Sequence, residues 1–214
     1  MRRKTVGAVT LFALVLVASA AVGRGQEASE SEGKSGGGSA SRGGSASGSD
    51  SASERFWGIL ASYEVAQLEI DEEGGEQEVG EYRVGYIVEP AEGWWEGPPG
   101  NLTWRGPAAV ETNHIEILPF EAETGLLMPN MEGTLTVLDE SGEEIESKLL
   151  EFYRGEFYHY ANNFSLPRSG AYTLRAELEP PNFRRHETKD REGRVFTEPV
   201  TVEFDNVEIS AEEK

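Results

Sequence analysis

From residue 55 onward, apolar side chains recur mainly at every second position and are separated by turn signals, which predicts strands rather than helices. In Tyr172-Thr173-Leu174-Arg175-Ala176-Glu177-Leu178-Glu179 one face is Tyr, Leu, Ala, Leu and the other is Thr, Arg, Glu, Glu. That pattern is a half-buried antiparallel strand. Val200, Val202 and Phe204 alternate with Thr201, Glu203 and Asp205 in the same way, and Leu135-Thr136-Val137 runs into the turn Asp139-Glu140-Ser141-Gly142. Further strands are expected around Tyr63 to Ile70, Tyr82 to Glu89, Asn113 to Pro119 and Ile145 to Tyr153. The pattern gives seven or eight strands and no long helix. An all-β, immunoglobulin-like antiparallel β-sandwich over residues 55–214 accounts for it most economically.

The first 54 residues follow different rules. Arg2, Arg3 and Lys4 precede an uncharged, Leu/Val/Ala-rich run from Thr5 to Gly23 that contains Ala18-Ser19-Ala20. Residues 1–23 therefore read as a signal peptide, with an uncleaved membrane anchor as the alternative. Residues 24–54 hold 18 Gly or Ser among 31 positions and no apolar side chain larger than Ala. They cannot bury enough surface to offset their ordering entropy, and are expected to be a disordered linker about 30 Å across. The bulk of the protein is thus expected to be exported, in the periplasm or at the cell surface.

Composition narrows the chemistry. The chain has 39 acidic and 19 basic side chains, a formal charge of −20, and most of the excess lies beyond residue 54. Such a field repels phosphate backbones and attracts cations, which argues against a nucleic-acid partner. There is no cysteine, hence no disulfide, no thiolate metal site and no lipid-modified cysteine. Any metal must be held by histidine, carboxylate, carbonyl or thioether, and the whole chain has three histidines.

Each histidine sits beside a strand end or a loop. In Thr112-Asn113-His114-Ile115-Glu116-Ile117 the alternation puts His114 and Glu116 on one face, about 7 Å apart at the backbone, close enough for their tips to converge on one ion. His159 stands in Phe157-Tyr158-His159-Tyr160-Ala161-Asn162-Asn163, and His186 ends the proline-broken run Pro180-Pro181-Asn182-Phe183-Arg184-Arg185. Because imidazole binds metal in its neutral form, affinity is expected to fall below about pH 6.5.

The order His114-Ile115-Glu116, His159-Tyr160-Ala161-Asn162-Asn163, Tyr172-Thr173-Leu174, Glu179-Pro180-Pro181, Arg185-His186 and Pro199-Val200-Thr201-Val202-Glu203-Phe204 resembles the periplasmic ferrous-iron transport accessory proteins over roughly residues 60–208. The resemblance implies an immunoglobulin-like sandwich, usually a homodimer, that binds iron or copper outside the cytoplasm and serves an iron permease in the membrane. It places His114, Glu116, His159 and His186 on the metal-ligand positions. Copper-binding members carry a methionine seven residues before the second histidine, where this chain has Phe152. Three imidazoles and a carboxylate suit ferrous iron, zinc, manganese or cupric copper better than cuprous copper. Met128 and Met131 read as core fillers.

Two other classes compete. Trp94, Trp95 and Trp104 in a Pro/Gly-rich stretch could form a carbohydrate-binding or cell-surface interaction site, which would leave the imidazoles far apart. Covering the end of the sandwich is the simpler role for these aromatics. A metal-dependent hydrolase finds less support: no strained nucleophile turn is visible, and Glu116 would fill the coordination position that a hydrolase leaves open. The chain reads as a binding protein and not an enzyme.

Overall fold

The computed structural model describes residues 47–186 and 195–211. Helix α1 (Ser47–Glu73) leads directly into strands β1 (Gly74–Val79) and β2 (Tyr82–Pro90). A small hairpin, β3 (Trp94–Glu96) and β4 (Thr103–Arg105), precedes β5 (Asn113–Glu121), β6 (Gly133–Leu138) and β7 (Glu144–Leu149). The chain then forms β8 (Glu151–Arg154), β9 (Tyr158–Phe164), β10 (Gly170–Leu178) and β11 (Val200–Ile209). Every strand pairing is antiparallel. One sheet has the order β1-β2-β5-β9-β8 and the other β11-β10-β6-β7, with β3-β4 as a separate ribbon.

The two sheets enclose the main core as a sandwich. Ile115, Ile117, Tyr160 and Phe164 of the five-stranded sheet meet Leu135, Val137, Leu174, Ala176 and Phe204 of the other, with Met128 and Met131 buried at the margin. Burial is what the period-two pattern encodes: β10 and β11 alternate inward apolar with outward polar residues, and their buried positions are the ones the alternation selects. The expected strands at 82–89, 113–119, 135–137, 172–179 and 200–205 are all present.

Three features depart from the sequence reading. Residues 63–70, expected as a strand, lie within α1, and the same helix extends through residues 47–54 of the expected linker. The segment Ile145 to Tyr153 is two strands rather than one: β7 belongs to the four-stranded sheet and β8 to the five-stranded sheet, so the chain changes layers at the buried Leu150. His159, placed beside a strand end, lies on β9 in the interior of a sheet. The expected signal segment and most of the linker fall outside the described residues. Among the described residues, no helix is long and apolar enough to cross a membrane.

α1 has a structural reason to be a helix where it meets the sheet. Tyr63, Ala66 and Ile70, spaced three and four apart, lie on one helical face. With Ile87, Leu118, Phe120 and Phe157 they form a second, smaller core on the outer side of the five-stranded sheet. Gly85 permits this approach, because a Cβ there would lie 2.6 Å from Cδ1 of Ile70. As a result β5 is covered on both faces, and its first eight residues are all buried.

Candidate metal centre

The site is built from two neighbouring strands. In the β5–β9 register His114 lies opposite Asn163 and Glu116 opposite Ala161, so these four side chains share the outer face of the sheet. His159, two residues from Ala161 along β9, shares that face as well. The small Ala161 leaves room for the longer side chains on either side of it. His159 Nε2 lies 3.4 Å and His114 Nε2 4.0 Å from Oε1 of Glu116. One ligand atom from each of the three residues fits within 4.8 Å of the others. All three are buried, with 1%, 3% and 7% of the surfaces of His114, Glu116 and His159 exposed.

This burial sets the protonation states. Removal from water, reinforced by Glu89, Glu69 and Glu92, pushes the Glu116 carboxyl up to about 9. The same causes hold for Glu89, facing His114 across β2 and β5, which is raised to about 7 by burial and by Glu92, Glu69, Glu73 and Glu156. Burial, with repulsion from His114, lowers His159 to about 4, and burial lowers His114 too. At neutral pH the cluster therefore holds two neutral imidazoles beside a protonated carboxyl. Nε2 of His114, Nδ1 of His159 and Oε2 of Glu116 are buried without a hydrogen-bond partner. A divalent ion held between the imidazoles and the carboxyl would satisfy Nε2 of His114 and Oε2 of Glu116, which are otherwise costly to bury, and would meet His159 through Nε2, the nitrogen nearer Glu116. Two imidazoles and a carboxylate form a donor set suited to a transition metal, and to ferrous iron in particular.

The orientation of His114 is fixed from behind. Oδ1 of the fully buried Asn163 lies 2.8 Å from Nδ1 of His114 and accepts the Glu92 N–H at 3.2 Å, while its Nδ2 donates to the Glu92 carbonyl and to Glu111. With the amide nitrogen committed to these two acceptors, Oδ1 accepts from the ring, Nδ1 carries the hydrogen, and the lone pair is left on Nε2, the atom facing Glu116. Glu111 is anchored in turn by Arg105 at 2.6 Å and by the Ala108 N–H at 2.7 Å. Burial opposes its ionisation, but these bonds outweigh it and hold the carboxyl down at about 2.

An aromatic wall stands over the cluster. The ring of Tyr153, which pairs with His159 in the β8–β9 ladder, stacks on it at 5.5 Å and 12° and meets His114 edge-on at 5.5 Å. Trp94 packs against Tyr153 at 5.3 Å, with the Arg105 guanidinium 4.1 Å above its own ring. Gly93 lets β4 approach, since a Cβ there would lie 2.6 Å from the Trp104 ring. Between this hairpin and β8 opens a cleft of about 990 Å³ whose floor includes both imidazoles.

Three of the four expected ligands are thus brought together. His186 is exposed at the end of the described part of the β10–β11 connection and does not join the cluster. Arg185 ties that connection down through the Val195 carbonyl at 2.6 Å. Phe152, at the position of the copper proteins' methionine, packs on Tyr158 and Tyr160 and forms part of the cleft wall; the β8 side chain laid on His159 is Tyr153. Sequence reasoning did not single out Tyr153, Glu111 or Asn163. Asn163 alone had a signal, as the last residue of the His-Tyr-Ala-Asn-Asn motif.

Fold and cluster together define a β-sandwich protein with a buried His-Glu-His group able to hold a transition-metal ion. Residues 110–209, which contain β5 through β11 and the whole cluster, match the iron-transport family described as Fe2+ transport protein. The family resemblance carried by the histidine motifs therefore holds. A copper-bound variant of Campylobacter jejuni P19 shares the fold at a TM-score of 0.51 and 17% identity, covering 65% of this chain and 97% of that one. FetP of uropathogenic Escherichia coli strain F11 aligns at a TM-score of 0.48 and 21% identity, over 64% of this chain and 96% of its own. No curated protein sequence matches the chain.

Proposed function

We propose that this protein is an extracytoplasmic transition-metal-binding accessory of iron uptake that works with an iron permease and is not an enzyme. His114 and His159 bind through imidazole nitrogen, and Glu116 supplies an oxygen and a compensating charge. The family resemblance adds His186 as a fourth donor, although it stands apart from the other three in this structure. The observation that carries this reading is the convergence of three buried donors within 4.8 Å, with unpartnered atoms on each residue. The iron-transport match over the same residues supports it, as does the copper bound in the structurally similar Campylobacter protein. Iron and copper are the leading ions, with zinc and manganese compatible with the same donors. Export follows from the N-terminal segment, and a homodimer from the family resemblance.

A carbohydrate-binding sandwich would keep the histidines apart, whereas the His114 and His159 ring centroids are 6.0 Å from each other. Calorimetric titration with ferrous, cupric, zinc and manganese ions tests the proposal. Binding tighter than millimolar is expected, with His159→Ala abolishing it and His186→Ala weakening it by about tenfold or more. Affinity unchanged in His159→Ala overturns the assignment.

A further inference from the structure

The β3–β4 ribbon reaches His114 by three routes. The Trp94 ring lies 6.4 Å from the imidazole, centroid to centroid. Where the chain enters the ribbon, the backbone of Glu92 makes two hydrogen bonds with the Asn163 amide, donating to Oδ1 and accepting from Nδ2. The third route runs through side chains, from Arg105 on β4 to Glu111 and on to Asn163, whose Oδ1 meets Nδ1 of His114. Glu92 and Arg105 lie outside the matched residues 110–209, whereas the three metal donors and Asn163 lie within them.

Glu111 supplies acceptors in the number its neighbours require. Three donors converge on it: Arg105 on Oε1, and the Ala108 N–H and Nδ2 of Asn163 on Oε2. Only a carboxylate accepts from all three, since a glutamine amide would turn its own NH2 towards either Arg105 or Asn163. Glu111 is 5% exposed and its N–H donates to the Ala108 carbonyl at 3.0 Å, so the acceptor is held in place at both ends of the residue. A fixed acceptor there opposes rotation of the Asn163 amide. Turned over, Oδ1 would face the Glu92 carbonyl and the Glu111 carboxylate, and Nδ2 would donate to Nδ1 of His114. The ring hydrogen would then sit on Nε2, and the lone pair would be lost from the side facing Glu116.

We propose that Glu111, anchored by Arg105, is a positioning residue that keeps His114 in its metal-binding tautomer by fixing the Asn163 amide. This rests on the metal-binding reading above and adds a determinant of affinity carried by the ribbon.

The test reads the ring nitrogen shifts of His114 in the metal-free protein, together with Cu2+ affinity by calorimetry. Glu111→Ala is expected to populate the tautomer protonated on Nε2 and to weaken Cu2+ binding by about tenfold. Glu111→Gln, which can turn its oxygen to Asn163, should keep most of both near the wild type. Arg105→Met leaves the carboxylate in place without its anchor, and should move both readouts in the same direction as Glu111→Ala by a smaller amount. It carries the test if Glu111→Ala does not fold. In an Asn163→Ala background, Glu111→Ala should cause no further loss of affinity, because the link it acts through is gone. A wild-type tautomer in the metal-free variants, or an equal loss of affinity from Glu111→Ala with and without Asn163, overturns the proposal. A wild-type protein that binds no Cu2+, yet changes tautomer in Glu111→Ala, overturns the metal-binding reading and supports the control of the tautomer.

Discussion

A carboxyl group between two imidazoles, with Glu89, Glu69 and Glu92 close enough to repel its charge, holds its proton up to about pH 9. Coordination requires the carboxylate, so a metal ion must expel that proton. Affinity is therefore expected to climb as pH rises from about 7 to 9, by up to about tenfold per unit. Calorimetry in buffers of different ionisation enthalpy should show close to one proton released per ion, and Glu116→Gln should remove the slope. The expected loss of affinity below pH 6.5 moves lower for His159, because burial has already stripped its imidazole of the proton down to about pH 4. The cluster was readable in part: three histidines are few enough to count and His114-Ile115-Glu116 states its own geometry, but the same count singled out His186, which stands apart. Asn163 was not, since its role depends on a cross-strand register that no local pattern reveals. Asn163→Ala should leave Nδ1 of His114 and the Glu111 carboxylate short of a partner. The expected cost is about 1–3 kcal/mol of stability and a 10- to 100-fold loss of metal affinity, read by denaturation, titration and the ring nitrogen shifts of His114.

At the scale of elements, strands with one plain apolar face announced themselves and the others did not. β10 and β11 alternate cleanly because one face meets the core and the other meets water. β9 does not, because its outer face carries His159, Ala161 and Asn163 in place of apolar residues, so the strand that bears the site looks like a loop. α1 was hidden for the opposite reason. Apolar residues at 63, 65, 66, 68 and 70 fit both periods over so short a run, and only packing on the sheet decides between them. Ile70 is the side chain that fastens the helix, lying 1% exposed over Gly85. Ile70→Ala should cost about 2–5 kcal/mol in urea denaturation, without moving the His114–Glu116–His159 donors.

For the whole molecule, buried acids and neutral imidazoles give the metal-free protein a defined pH response. Glu116 and Glu89 have native values above their ordinary 4.5, so the native state holds more protons than the unfolded chain and stability falls as pH rises, up to about 7 for Glu89 and about 9 for Glu116. His159 is lowered from 6.5 to about 4, so its contribution is present above 6.5 and is lost as pH falls towards 4. The two trends oppose each other between 4.5 and 6.5, and above 6.5 the carboxyl groups act alone. Metal-free protein should therefore lose stability steadily between pH 6.5 and 9, and Glu116→Gln should flatten the decline in denaturation curves recorded across that range.

The cluster lies one strand in from the edge of its sheet. β8, the edge strand beside β9 among the described residues, is four residues long, and its Tyr153 rests on His159. Fraying of so short an edge lifts one aromatic ring from one ligand and leaves the core between the sheets intact. Release of a bound ion is then expected to follow this local opening, at a rate decoupled from that of unfolding. Hydrogen exchange should show the amides of β8 opening orders of magnitude faster than those of β5. Tying that strand down is expected to lengthen the residence time of the metal without making the fold more stable.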